Sequence, residues 1–166
     1  MIKEFKTIIS IDPGYERLGV AILKKDLKNK VYLEFSGCFK TSSKLDFSDR
    51  ILLVGEYLEK LITKYRPETL AIENLFLTNN QKTAMRVAET RGAILYVAKK
   101  RKLDIYEMTP SQIKSAVTGN GQSDKISMEK MIKLLLPELS KVDKKIDDEY
   151  DAIACGLSYF ALEKSL

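Results

Sequence analysis

The sequence predicts a mixed α/β fold in which a three-stranded antiparallel meander is extended by strands reached through helical crossovers. Three observations carry that reading. Apolar, β-branched runs at residues 7–12, 18–23 and 31–39 are separated only by short polar segments, as antiparallel neighbours are. Two further short strands, 69–73 and 103–108, each follow a stretch whose apolar residues recur at helical spacing. The remaining segments, after residue 108, read as three helices. The resulting order β-β-β-α-β-α-β-α-α-α departs from a phosphoacceptor receiver domain, which alternates strand and helix from its first residue.

Each element has a local cause. Ile8, Ile9 and Ile11 suit a buried strand, and Pro13-Gly14 stops it, so that Asp12 is presented at a strand end. An acid followed by a glycine that lets another backbone approach suits a metal or phosphate site, and it equally suits an ordinary turn. Ser48 is placed to cap a helix whose apolar positions Ile51, Leu52, Val54, Leu58, Leu61 and Ile62 continue until Pro67. The strand 69–73 again ends on a carboxylate, Glu73. Residues 79–101 read as a long helix with Lys99, Lys100 and Arg101 at its end, where cations suit the helix dipole. Thr109-Pro110 reads as cap and first helical position, and Gly119-Asn120-Gly121 as the break after that helix. Residues 127–136 form the next expected helix, 137–145 a lysine-rich connection, and 148–164 the last helix.

With 166 residues, the chain is expected to form one domain, 1–166, large enough to bury roughly two-thirds of its unfolded surface. The composition contains no histidine, which excludes Ser-His-Asp and Cys-His nucleophile systems and every His-dependent zinc site. Chemistry must therefore run on carboxylates, lysines, hydroxyls or a bound hard cation. Cys38 and Cys155 lack CxxC spacing and read as small core residues in a reducing compartment. No run of about 18 apolar residues could span a bilayer, and the first residues lack a signal-peptide stretch, so a cytoplasmic protein with no membrane partner is expected. The net charge of +5 permits nucleic acid as a partner without requiring it.

Four carboxylates stand out: Asp12 and Glu73 at strand ends, with Asp148 and Asp151 on the last helix. Residues three apart on a helix share a face, with Cβ atoms about 5–6 Å apart. The helix dipole alone also favours acids in a first turn. The following Ala152-Ile153-Ala154-Cys155-Gly156-Leu157 is apolar nearly all round, however, so Asp151 enters a buried segment. If the first and fourth strands are neighbours, three or four acids converge. Like charges about 4 Å apart repel by roughly 4 kcal/mol per pair at an effective dielectric of 20, so such a cluster requires cations. All-oxygen ligation suits Mg2+ or Mn2+, and two such ions activate water and stabilise the leaving oxygen in phosphodiester cleavage. The alternative is a set of separate capping and surface acids.

Ile11-Asp12-Pro13-Gly14, residues 71–76 (AIENLF), Glu89-Thr90-Arg91-Gly92, Gly119-Asn120-Gly121 with Lys125, and residues 148–152 (DEYDA) together resemble the RuvC family of bacterial Holliday junction resolvases in order and spacing, over nearly the whole chain. The resemblance implies a ribonuclease H-like fold, a mixed five-stranded sheet with helices on both faces. It also implies a homodimer that nicks four-way DNA junctions in recombination and repair with Mg2+ or Mn2+, two ions per site, and the branch-migration proteins RuvA and RuvB as partners. By position, Asp12, Glu73, Asp148 and Asp151 match the family's catalytic, metal-holding acids. Some members carry histidine at the position of Asp148; this chain does not. Phe76 matches an aromatic that stacks on a base, a contact worth about 1–3 kcal/mol, or else it anchors its loop to the core. Lys114 and Lys125 match basic residues near the cleaved phosphate, or are solvated helix-face lysines. Arg86 and Arg91 are further candidates for DNA-backbone contacts. The rival readings are a YqgF-type ribonuclease H-like nuclease acting on RNA and a non-catalytic nucleic-acid scaffold.

Overall fold

A computed structural model of the chain describes residues 5–74, 81–141 and 145–163. Five strands form one sheet: β1 (Phe5–Asp12), β2 (Arg17–Asp26), β3 (Val31–Lys40), β4 (Thr69–Glu73) and β5 (Asp104–Met108), in the order β3-β2-β1-β4-β5. β1 pairs antiparallel with β2, and β2 with β3; β1 with β4 and β4 with β5 are parallel. The parallel pairs are those reached through helices, because a parallel neighbour needs a crossover. Here the crossovers are α1 (Phe47–Tyr65) and α2 (Gln81–Lys100). α3 (Pro110–Thr118), α4 (Lys125–Leu135) and α5 (Asp147–Leu162) complete the chain. No helix among the described residues is long and apolar enough to cross a membrane.

Helices cover both faces of the sheet, and the alternation of side chains along each strand divides the core in two. Ile9, Ile11, Val20, Ile22, Leu70 and Ile72 pack with Val54, Leu58 and Ile94 of α1 and α2. Ile8, Ala21, Leu23, Ala71 and Met108 face the other way, into a core shared with α3, α4 and α5. On α5, Tyr150 and every residue from 152 to 160 are buried, as the apolar stretch predicts.

Several boundaries differ from the sequence expectation for local reasons. α1 begins at Phe47, not behind Ser48; Asp46 is its N-cap by backbone alone, and Arg66, at φ 50°, turns the chain out before Pro67. α4 begins at Lys125, two residues before Ser127, because the Asp124 carboxylate accepts the Ser127 N–H. Residues 137–141 wind into a 3-10 turn that buries Leu139 beside Leu136, so the connection is part of the core. α3 has the expected cap, with Thr109 and Gln112 satisfying each other's backbone N–H groups in a capping box. Cys155 is buried as expected, but Cys38 lies half-buried on the edge strand β3. Asn79 and Asn80, where the long helix was expected to start, lie outside the described residues.

α5 approaches the sheet more closely than side chains ordinarily allow, and two glycines make that possible. A Cβ on Gly156 would lie 2.4 Å from Leu23 Cδ1 and 2.7 Å from Ser10 Oγ. One on Gly19 of β2 would lie 2.0 Å from the carbonyl oxygen of Asp148 and 3.2 Å from Asp12 Cβ. Ser10 Oγ donates to the Ala152 carbonyl at 2.7 Å, fixing the same contact from β1. Gly19→Ala should therefore lower the unfolding free energy by about 1–3 kcal/mol through overpacking against backbone. Gly92→Ala on α2, where a Cβ would have nothing within 4 Å, should be neutral or gain up to about 1 kcal/mol from helix propensity. Urea titration of both variants checks this, and equal stability of the two would contradict it.

Candidate active site

Strand parity brings two of the acids to one side of the sheet. Ile8 and Ser10 face α5 and Ile9 and Ile11 face away, so Asp12, next in the alternation, falls on the α5 side. On β4, Ala71 faces α5 while Leu70 and Ile72 do not, so Glu73 falls there too. The parallel register pairs Ser10 with Ala71 and Ile11 with Ile72, which sets Asp12 and Glu73 at adjoining strand ends. α5 begins against the same edge and supplies Asp148 and Asp151.

The four acids act on one another. Asp12 is pushed up to about 7, first by burial and then by Asp151, Glu73 and Asp148, with Lys125 opposing. Glu73 is raised by burial and by Asp151, against Lys114. Asp151 opens onto a cleft, yet loss of water on its inner side raises it too; Asp147 and Asp148 add to this, and Lys125 and Lys114 oppose it. Asp148 differs in having its own counter-ion, Arg17, whose Nη2 stands 2.5 Å from its Oδ2. The donor set is oxygen throughout and carries more negative charge than its neighbours neutralise, which fits a hard divalent cation. Among the described residues, no three Asp, Glu or Cys side chains yet stand as a group able to hold an ion. Mutual repulsion and the pull of Arg17 on Asp148 both oppose such a closed arrangement.

A cleft of about 310 Å³ adjoins the acids; Glu73 and Asp151 line it together with Asp124, Glu129 and Asp147 and with Lys114 and Lys125. Asp12 and Asp148 are not part of that lining. Lys125 also pairs with Asp147 at 3.3 Å across the exposed start of α5. Carboxylates and two ammonium groups thus line one cleft, a surface that can take an anion bridged to a cation.

The family model for crossover junction endodeoxyribonuclease RuvC matches residues 8–159. The chain belongs to the RuvC family. Among curated RuvC members, that of Thermosipho melanesiensis is 42% identical over 147 residues, covering 89% of this chain and 92% of its own. The solved structure of Thermus thermophilus RuvC superposes with a TM-score of 0.86 at 25% identity, over 96% of both chains. The same T. thermophilus protein in complex with a Holliday junction substrate gives 0.86 at 24% identity, again over 96% of each chain. The five-stranded mixed sheet with helices on both faces is accordingly the ribonuclease H-like α/β fold of this nuclease family.

Against the RuvC pattern, the structure brings Asp12, Glu73, Asp148 and Asp151 together and sets Lys114 and Lys125 beside them. Phe76 lies outside the described residues. Arg86 lies over the rings of Tyr15 and Phe47, at 5.7 and 5.1 Å, buttressing the turn after Asp12. Arg91 is largely buried; it donates to the Glu73 carbonyl at 3.3 Å and to Asn74 Oδ1 at 3.2 Å, and it pairs with Glu107. It thereby ties the end of β4 to β5. Sequence reasoning missed Arg17. The one signal for it was its place at the start of the strand that lies beside Asp12.

In metal-free protein, Asp12 keeps its proton in the folded state up to about pH 7, whereas the unfolded chain releases it near its ordinary value of 3.8. The folded state thus binds more protons across that window, so stability is highest below it and falls as pH rises from about 4 to about 7. Glu73 and Asp151 act in the same direction, while Asp26, Glu59, Asp124 and Glu163, held below their usual range, act at lower pH. Urea midpoints in EDTA should be lower at pH 7.5 than at pH 5, and Asp12→Asn should remove much of the difference. A wild-type midpoint that rises over this range would contradict the assignment.

Proposed function

We propose that this chain, as one nuclease domain over residues 1–166, resolves four-way DNA junctions by paired symmetric nicks in recombination and repair. The observation that carries the reading is the meeting of Asp12 and Glu73, from adjoining parallel strand ends, with Asp148 and Asp151 of α5, in a chain of the RuvC family. Membership of a family whose relatives are named crossover junction endodeoxyribonucleases supports the choice of substrate.

The four carboxylates are the catalytic and metal-holding residues, for two Mg2+ or Mn2+ ions per site. Bound ions of this kind lower the barrier by activating water and neutralising charge on the leaving oxygen. The chain's own residues do the rest. Asp12, protonated near neutral pH when alone, gives up its proton as positive charge enters the cluster. Lys114 and Lys125 hold the scissile phosphate beside the carboxylates that share their cleft and offset the charge that grows on it. Water adds its hydroxyl to phosphorus and its proton goes to the departing 3′ oxygen, leaving a 5′-phosphate and a ligatable 3′-hydroxyl. Phe76 stacks on a base at the junction, and Arg86 and Arg91 reach DNA only at the cost of the contacts they make here. A two-fold homodimer sets two such sites on a pseudo-symmetric junction, which accounts for paired nicks. RuvA and RuvB are the partners, in the cytoplasm.

Purified protein with end-labelled four-way junction and matching linear duplex, each with Mg2+, Mn2+ or EDTA, tests the proposal. Paired, religatable nicks in the junction alone, lost in EDTA, are expected. Asp12→Asn should bind the junction as wild type does and lose more activity than the roughly 10–100-fold that outer-shell changes cost. Binding without cleavage under every metal, or equal cutting of linear or RNA-containing substrates, would overturn it.

A further inference from the structure

Among the described residues, Arg17 is the one cation in ion-pair contact with a member of the acid cluster. It opens β2, five residues after Asp12, and the Gly19 contact two residues on brings the backbone of Asp148 against the same strand. Its guanidinium reaches Asp148 Oδ2 at 2.5 Å, and Cys38 of the neighbouring strand acts on it as well. The Asp148 side chain is 20% exposed and that of Arg17 49%, so the acid is held inside while the cation reaches it from solvent. The pair has a consequence for any ion that enters. A divalent cation ligated by Asp148 must either displace the guanidinium from Oδ2 or bind the other oxygen beside a fixed positive charge, and both weaken the acid as a ligand.

We infer that Arg17 is a resident counter-ion that competes with the divalent metal for Asp148, keeping this acid out of the metal cluster until an ion displaces the guanidinium. It is a positioning residue, acting through Asp148, and the inference rests on the carboxylate-metal reading above. The resting site then spends less of its folding free energy on unpaired negative charge, and it binds its last-joining ligand more weakly than four free acids would. A displaced, half-exposed guanidinium at the edge of the site is in turn free to meet a phosphate, whereas Lys114 and Lys125 stand inside the cleft throughout.

The test is calorimetric titration of Mn2+ into the full chain without DNA, for wild type, Arg17→Gln, Arg17→Lys, Asp148→Asn and the Arg17→Gln/Asp148→Asn double variant, each checked for a native melt. Losing a half-exposed ion pair predicts Mn2+ binding roughly two- to fivefold tighter in Arg17→Gln, with Arg17→Lys closer to wild type. In the Asp148→Asn background the same change should make no difference, because the competition has lost its object. Unchanged or weaker Mn2+ binding by Arg17→Gln would overturn the inference. So would an equal gain in the Asp148→Asn background, which would mark Arg17 as a through-space charge only. Absence of Mn2+ binding by every variant would overturn the metal reading itself and this inference with it, whereas tight binding indifferent to Arg17 overturns this inference alone.

Discussion

The backbone contact between α5 and β2 at Gly19 is the constraint on which the site depends. A helix normally stands off a sheet by the length of its side chains, but here the Asp148 carbonyl would lie 2.0 Å from a Cβ placed on residue 19. Gly156 repeats the close approach further along α5, and the Ser10 hydroxyl bonds the Ala152 carbonyl between them. These three contacts fix both the height and the rotation of the helix. Its acids are thereby held against the strand ends that carry Asp12 and Glu73, a placement that side-chain repulsion alone would undo.

Packing supplies the free energy for that placement. The buried face of α5 includes Ile153, Leu157, Tyr159 and Phe160, and burying large apolar side chains of this kind contributes about 1.5–3 kcal/mol each. Burying a carboxylate and bringing others beside it costs some of this, and Asp12 is pushed up to about 7 first by its burial and then by Asp151, Glu73 and Asp148. Three cations from three different elements moderate it: Arg17 from β2 on Asp148, Lys114 from α3 on Glu73, and Lys125 from α4 on Asp151. Under the proposed function, this arrangement serves phosphodiester chemistry, in which a cluster of acids accepts cations while neighbouring cations accept a phosphate.

Much of this was legible in the sequence because local chemistry dictated it. β4 has the bounds that its apolar run and terminal glutamate imply, and Thr109-Pro110 caps α3 as written. The four acids could be singled out because two close strands and two sit one turn apart at a helix start. Their convergence could not be read directly, since it rests on β1 and β4 being neighbours, a long-range pairing that no local pattern encodes. Nor was the face of Asp12 evident: β1 is covered on both sides and reads as one apolar run, in which Ser10 is the lone sign of a different neighbour. The start of α4 moved because an aspartate capped it ahead of the expected serine, and Leu139 drew the lysine-rich connection into the core. Arg17 escaped notice because its contact crosses to α5, far off in sequence, and Cys38, expected in the core, is half-buried because β3 lies at the sheet edge.

The central claim is that the sheet and α5 together build one all-oxygen cation site. Diffraction at the manganese absorption edge, from crystals grown with Mn2+, tests it most directly. The account predicts anomalous peaks between the ends of β1 and β4 and the start of α5, with oxygens of Asp12 and of at least two among Glu73, Asp148 and Asp151 at about 2.0–2.2 Å, as six-coordinate divalent ions of this size require. Full-occupancy manganese elsewhere with none at these acids, or none bound at all at millimolar Mn2+, would contradict it.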